Sequence, residues 1–478
     1  QASYCGAFVT LLRNEIRAEI ARITGAGDGY SVVFAGSGST AGLNRIVMLL
    51  DIPGVIATGK RAVVLIGPYE HHSNELPWRE LGLKVIRIKE ASSGDVCLTD
   101  LEQVLQSNQG KRLIGSFSAA SNVTGILCDQ DAITSLLHKY KALAFWDFAA
   151  AAPYINIDMN PADNNAAKKD AIFFSTHKLI GGPGTPGILI VKKNIISNPL
   201  PSTIGGGTVS FVTPNSHTFL PLGERREEGG TPAITESIRA GLVFQLKQKV
   251  GIKVIEESEH RWTQRTQRRW GKNPAIERLG HPTATRLSIT AFRIRTEYGY
   301  LHHGLVTALL NDLFGIQVRG GCSCAGPYGH ELLGIDHARS LRIQEALSHG
   351  EKLVKPGWVR FNLNYFLHES DVDFILDAID FVASHGLTLL PFYAYDNAND
   401  LWRFQNKSVK CLNLEDLFDL SWTHKKAEAS KPVNKEDYFL AAKKVIDHCQ
   451  NLTYKPQLQA FQEEYNDIRD FVLVQDLC

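Results

Sequence analysis

What this chain lacks narrows its chemistry first. It lacks net charge: 51 basic side chains stand against 50 acidic ones, a formal +1 at pH 7. No bulk field draws it to nucleic acid or to an anionic membrane, and neither is expected as a partner. No apolar run in the sequence reads as long enough to span a bilayer. Cysteine is sparse, with eight scattered over 478 residues. That spacing argues for reduced thiols and against a disulfide framework, so a reducing compartment is expected, cytoplasm or an organellar matrix. The opening Gln1-Ala2-Ser3-Tyr4-Cys5 has neither an initiator Met nor a basic-then-apolar leader. A fragment or processed chain is expected, and targeting is not readable. Sequons at Asn122, Asn406 and Asn451 read as chance matches. There are no internal repeats.

What is present is ordinary globular material, 44% hydrophobic and 21% charged, enough for two or three domains. The informative stretch is Ala171–Lys193, AIFFSTHKLIGGPGTPGILIVKK. An apolar run, Ala171 to Phe174, reads as a buried strand. Ser175-Thr176-His177-Lys178 follows, then the glycine- and proline-rich turn Gly181–Gly187, then a second apolar run, Ile188 to Val191. A lysine on a short turn between two buried strands is partly desolvated, which disfavours its charged form. Such an amine forms Schiff bases with carbonyl compounds, pyridoxal phosphate (PLP) included. Taken alone, a lysine after a strand is far more often structural, so the reading of Lys178 rests on the other residues.

Strand-like runs recur at Ser31–Phe34, Ala62–Ile66, Lys84–Ile88, Arg112–Phe117 and Leu143–Trp146, with helical segments between. The alternation predicts an α/β fold, a mostly parallel sheet with helices on both faces. Ligands of such sheets sit beyond the carboxyl ends of the strands. Candidate residues follow strands in that way: Ser39 and Thr40 in the small-residue loop 35–42, His71 in Glu70-His71-His72, Asn122, Asp147 and Lys178. The loop 35–42 ahead of an apolar helix suits an anion or serves only as a cap. Asp147 ends an apolar run, where a carboxylate needs a partner such as a pyridinium nitrogen, or else caps a helix. His71 reads as a stacking or proton-shuttling group or a solvated turn, and Asn122 as a ring-oxygen ligand or a buried turn residue.

Further on, Thr231 in Gly230-Thr231-Pro232 is a helix cap or a phosphate ligand. A long helix is expected from Ala233 through Val250 towards Arg269, with a domain boundary near 250. A second unit carries strand-like Thr285–Phe292, Ile316–Arg319 and Trp358–Leu363, the last containing Arg360, and helices at Gly304–Phe314 and Asp371–His385. Between them lies Gly320-Gly321-Cys322-Ser323-Cys324-Ala325. The Cys spacing is wrong for zinc and no second cluster completes a site, so no metal is expected. A mobile nucleophilic thiol fits better. Lys425–Lys435 reads as a linker, and Glu436–Cys449 and Gln457–Val472 as helices. The expected units are 1–250, 251–390 and an extension, 391–478.

In this order the motifs resemble the class V aminotransferase fold family of PLP enzymes, and within it the cysteine desulfurases and the sulfurase domain of molybdenum cofactor sulfurases. The resemblance runs from about residue 8 to 385. It rests on Gly38-Ser39-Thr40, Glu70–Asn74, Ser121–Gly125, Asp147, Ser175–Lys178, Gly205–Gly207, Gly230–Pro232, Val318–Ala325 and Arg360. It implies the fold type I architecture: a large domain with a mostly parallel seven-stranded sheet, a smaller α+β domain, and here a C-terminal helical extension.

The resemblance also implies roles. Lys178 carries the Schiff base and moves the substrate α-proton; Asp147 pairs with the pyridine nitrogen; His71 stacks on the ring and acts as acid or base. Asn122 orients the ring oxygen or substrate. Ser39, Thr40, Ser175 and His177 hold the phosphate, with Thr231 reaching it from the second subunit of a homodimer. Cys324 takes the sulfur as a persulfide from L-cysteine, releasing alanine, and Arg360 clamps the substrate carboxylate. A sulfur-acceptor protein is a further expected partner. The chain departs from the pattern at Ala150, where desulfurases commonly carry Gln or His, and at Cys322-Ser323, where they carry a His pair. Set beside the family, the stretch given is also expected to lack the family's N-terminal segment. A PLP lyase, racemase or aminotransferase of the same fold, and a non-catalytic scaffold, are the alternatives.

Overall fold

The computed structural model describes residues 3–59, 62–405, 434–451 and 458–477. Seven strands form the larger sheet: β1 (Tyr30–Ala35), β2 (Ala62–Ile66), β3 (Lys84–Arg87), β4 (Arg112–Ser118), β5 (Leu143–Asp147), β6 (Ala171–Ser175) and β7 (Gly187–Lys192). Their order is β1-β7-β6-β5-β4-β2-β3. β7 runs antiparallel to both neighbours, and the rest of the sheet is parallel. β1, β2 and β6 are buried along their whole length, as expected for strands covered on both faces. One face packs Ile16, Ile20, Trp146 and Phe174; the other packs Leu43, Ile46, Phe145 and Phe173. The expected α/β class with a mostly parallel seven-stranded sheet is what the chain adopts.

A short hairpin, β8 (Val209–Val212) and β9 (His217–Phe219), follows. The second sheet contains β10 (Ile276–Arg278), β11 (Ile289–Thr296), β12 (Gly299–Tyr300), β13 (Arg319–Gly321) and β14 (Trp358–Asn362), all antiparallel. Its register sets Arg319 opposite Arg360.

Several expectations are corrected. The helix after β1 starts at Gly38, so most of the small-residue loop is its first turn. The long helix from residue 233 is two helices, Ile234–Val250 and Ile252–Trp270, because Gly251 adopts φ +93°. Of the helix expected at 457–472, residue 457 lies outside the described residues, and among the described residues 458–472 there is no α-helix; a 3-10 turn, Glu463–Ile468, stands there. The helix Lys435–Asn451 does form, and residues 425–433 of the expected linker lie outside the described residues.

The segment expected as an extension shares its core with the second unit. β15 (Tyr393–Asp396) pairs β16 (Leu401–Phe404), and Tyr393, Trp402, Ile446 and Val472 pack with Trp262, Phe292 and Phe361. One helix, Glu369–Phe392, is long and apolar enough to cross a membrane by length and composition, which the sequence reading did not anticipate. Its Leu376, Ile379 and Val382 are buried in that core, and its Asp373, Asp377 and Asp380 pair with Arg265 and Arg269.

Asp170, at the start of β6, holds the sheet in register. Its buried carboxylate accepts from Ala144 N (2.8 Å), Lys192 Nζ (2.7 Å) and His138 Nε2 (3.0 Å). Burial opposes its charge, but these three donors hold its pKa below 3.8, while the bond to Asp170 raises that of His138 above 6.5. Asp170→Asn is expected to cost about 3 kcal/mol in urea unfolding, the loss of charge-assisted bonds at a buried site. The Asp170 contribution is full above the ordinary 3.8 and is lost as pH falls through its depressed value. The His138 contribution is full below 6.5 and is lost as pH rises through its elevated value. The gap between wild type and variant should therefore be widest between those two values.

Candidate active site

The carboxyl ends of β1, β2, β4, β5 and β6 converge on a cavity of about 230 Å³. Ser39, Thr40, His71, Asn122, Asp147, Ser175, His177 and Lys178 line it, with Ser118, Ala150 and Arg319. Eight of the sequence candidates are thus brought together. Thr231 is not among them: it is exposed, and the helix that follows is capped by Ala233. Arg360 lies just behind the wall, its Nη1 donating to Asn122 O at 2.8 Å.

Asp147 is buried at the end of β5. Its Oδ1 accepts from Ser39 Oγ (3.0 Å) and Ala149 N (2.8 Å). Burial raises its pKa; the Ala149 N–H, Lys178 and Ser39 act in the opposite direction. Lys178, on the turn after β6, is exposed where it opens onto the same cavity, with protein atoms crowded around it. The resulting loss of water lowers its pKa; Asp147 opposes this, and Arg360 and Arg319 reinforce it. His71 falls to about 4, through burial first and then the nearby Lys178. Its Nδ1 accepts from Ser73 N (3.1 Å), so the neutral ring carries its proton on Nε2.

Ser175 Oγ accepts from Ser39 N (2.9 Å) and closes the entrance to the helix Gly38–Leu49. Gly38 has φ +62°, and a Cβ there would stand 2.5 Å from Ser175 Oγ and 2.9 Å from His177 Cε1. Only glycine suits that turn. Thr40 Oγ1 and Ser73 Oγ share a bond of 2.6 Å at the cavity rim.

The cysteine loop is tied to this rim. His72 N donates to Cys324 O (2.8 Å), Asn122 Nδ2 to Ser323 O (2.8 Å), and Gly326 N to His72 Nε2 (2.9 Å). Ser323 and Cys324 both hold left-handed backbone, φ +54° and +58°. Non-glycine residues there cost of order 1–3 kcal/mol each and persist where the surroundings hold them. Arg319 Nη2 lies 3.3 Å from Cys324 Sγ.

Arg319, His72 and Glu70 received no role from the sequence, although each stood in a quoted motif. The roles of Arg319 and His72 depend on contacts across the two units, and that of Glu70 on the neighbouring strand β4, which no local pattern reveals. Glu70 is buried and accepts from Gly67 N (3.1 Å), Ser118 N (2.9 Å), Ser118 Oγ (2.6 Å) and Asn74 Nδ2 (2.6 Å). It joins the His71 turn to the end of β4, while burial pushes its pKa up to about 7. Glu70→Gln sets an amide among four donors. It should cost about 2 kcal/mol in denaturant unfolding, the price of unsatisfied buried groups.

The profile of the Aminotransferase class-V family matches residues 3–374. A probable cysteine desulfurase of Halalkalibacterium halodurans is 28% identical over 315 residues, 65% of this chain and 72% of that protein. Another, from Staphylococcus aureus, is 27% identical over 270 residues, 55% of this chain and 61% of that protein. Among solved structures, the apo cysteine desulfurase of Thermococcus onnurineus superposes with a TM-score of 0.65 at 24% identity, covering 80% of this chain and 86% of the other. A cysteine desulfurase of Escherichia coli superposes with a TM-score of 0.63 at 22% identity, covering 80% and 87%. These two likenesses speak to the fold. With the profile spanning most of its length, the chain belongs to the class-V aminotransferase family of PLP-dependent enzymes.

Proposed function

We propose that this chain is a PLP-dependent cysteine desulfurase, taking sulfur from L-cysteine as a persulfide on Cys324 and releasing alanine. One observation carries the reading: Lys178 and Asp147 open onto one cavity, and the Cys324 loop is fastened to its rim.

The residues suit PLP. Asn122 Oδ1 is buried without a hydrogen-bond partner among the described residues, an acceptor in need of a donor. Asp147 is a buried carboxylate bonded, among the described residues, to a hydroxyl and a backbone N–H, so a cationic donor would complete it. The turn at Gly38 opens a helix whose preceding Ser37 side chain makes no capping bond, a place suited to a phosphate. Thr40, Ser175 and His177 stand beside that turn. Bound there, PLP supplies an aldehyde for the lysine and an electron sink for the α-carbon of an amino acid.

The protein groups then divide the work. Lys178, its pKa lowered by the protein crowded around it, gives up its proton more readily than a free lysine and is placed to capture the aldehyde and to move the α-proton. His71 is neutral at pH 7 with its proton on Nε2, and would lie against the ring as a stacking partner and proton donor. Arg360 keeps Nε without a partner among the described residues, so part of its fork remains for the substrate carboxylate. Cys324 Sγ attacks the substrate sulfur; an S–S bond forms as the C–S bond breaks, and protonation of the carbon gives alanine. Arg319, 3.3 Å away, stabilises the thiolate that attacks. A homodimer accounts for the exposed Thr231 and the exposed apolar tip of the β8–β9 hairpin at Phe211 and Val212. The six cysteines among the described residues are all free, in keeping with a reducing compartment.

The full chain incubated with PLP and L-cysteine should release alanine and carry a persulfide on Cys324. Cys324→Ala should reduce both to background while the protein stays yellow with PLP; Lys178→Ala should lose the colour as well. Alanine release that survives Cys324→Ala would instead place the chain among the lyases, racemases or aminotransferases of this fold.

A further inference from the structure

A second cavity, about 980 Å³, lies beyond the cysteine loop. Cys322, Ser323 and Cys324 line it, and Arg319 is the one residue that lines both this chamber and the Lys178 cavity. Cys324 thus lines the larger cavity, and Arg319, whose Nη2 lies 3.3 Å from its Sγ, borders the Lys178 cavity as well. The outer wall of the chamber is the β15–β16 hairpin, through Tyr395, Leu401 and Trp402. That hairpin lies past residue 374, where the family profile ends. The chamber is thus completed by a part of the chain that the profile does not cover.

Its chemistry favours a particular occupant. The volume lies at the upper end of the roughly 300–1,000 Å³ range of small-molecule sites. Of the basic side chains on its wall, Lys355 Nζ is engaged with Asp400 (2.6 Å) and Lys352 Nζ with Asn397 O (2.8 Å), and Arg319 Nη2 lies against Cys324 Sγ (3.3 Å) at the end nearest the thiol. Aromatic and aliphatic side chains supply much of the remaining surface. His303 adds a polar handle. Its Nε2 lies 3.3 Å from Lys355 O, which can only accept, so Nε2 carries the proton. Its Nδ1 is buried and has no partner among the described residues. A side chain at Gly320 would crowd that nitrogen, at 3.1 Å.

We propose that this chamber is the acceptor site: a low-molecular-weight thiol with an uncharged, largely apolar body enters it and takes the sulfur from Cys324. The inference rests on Cys324 being the persulfide carrier. His303 Nδ1 takes the proton of the entering thiol. The thiolate attacks the outer sulfur of the persulfide; a new S–S bond forms, the bond to Cys324 Sγ breaks, and Cys324 leaves as thiolate beside Arg319. The transferred sulfur keeps its oxidation level, so no oxidant or reductant is consumed.

The test loads the full chain with PLP and sulfur-labelled L-cysteine and offers benzyl mercaptan, 2-mercaptoethanol or reduced thioredoxin as acceptor. Transfer to benzyl mercaptan should saturate with concentration, and 2-mercaptoethanol, small enough to reach any open persulfide, should not. Leu401→Trp, which fills the chamber from the hairpin, should lower the ratio of benzyl mercaptan to 2-mercaptoethanol transfer at least tenfold. Should that chain fail to fold, Ala308→Phe does the same from the opposite helix. An unchanged ratio, transfer linear in benzyl mercaptan, or preferred transfer to thioredoxin would overturn the proposal. Calorimetry of benzyl methyl sulfide with the full chain reads the chamber without turnover: binding lost in the variant is expected, and no binding to wild type would overturn it. Absence of alanine from wild type would refute the desulfurase reading instead, leaving calorimetry to decide the chamber.

Discussion

The site depends on one buried carboxylate facing one crowded amine. Asp147 is withdrawn from water at the end of β5 and Lys178 is ringed by protein after β6, and each shifts the other's charge. Burial disfavours both charged forms, and mutual attraction only partly restores them. The pair remains electrostatically incomplete, and a ligand with a cationic donor at one end and an electrophile at the other relieves it. The parallel strands β5 and β6 supply the geometry, because adjacent strands that run the same way end at the same edge.

The second constraint is the fastening of the cysteine loop. Two consecutive non-glycine residues in left-handed conformation are unfavourable in isolation, yet His72, Asn122 and Gly326 bond the loop from several directions. Asn122 contributes twice, its amide to Ser323 and its carbonyl to Arg360. A residue read from the sequence as a ring-oxygen ligand is also the joint between the two units. Cys324 on that loop lines a cavity that Lys178 and Asp147 do not.

Much of the large sheet was legible because its strands are short apolar runs ended by chemistry-bearing residues. Asp147 and Lys178 stood out because a charge at the end of such a run needs a reason. Less legible were features set by tertiary contact. Gly38–Gly42 has loop-like composition yet begins a helix, since Phe173 and Ser175 pack against it. The helical pattern around Gly251 continues on both sides, and only its φ reveals the break. In the stretch 457–472, read as a helix, Tyr465 and Ile468 instead seat a 3-10 turn against Ile343 and Val354. The role of Arg319 needs the β13–β14 register, which pairs it with Arg360 across strands far apart in sequence.

The central claim is that the Lys178 amine is the group that captures PLP beside Asp147. Borohydride reduction of the PLP-treated chain, followed by peptide mass spectrometry, tests it most directly, because reduction fixes the cofactor to whichever amine has bound it. The account predicts a pyridoxyl phosphate adduct on the peptide carrying Lys178, lost or strongly reduced in Asp147→Ala. An unmodified Lys178, with adducts scattered over surface lysines, would contradict it.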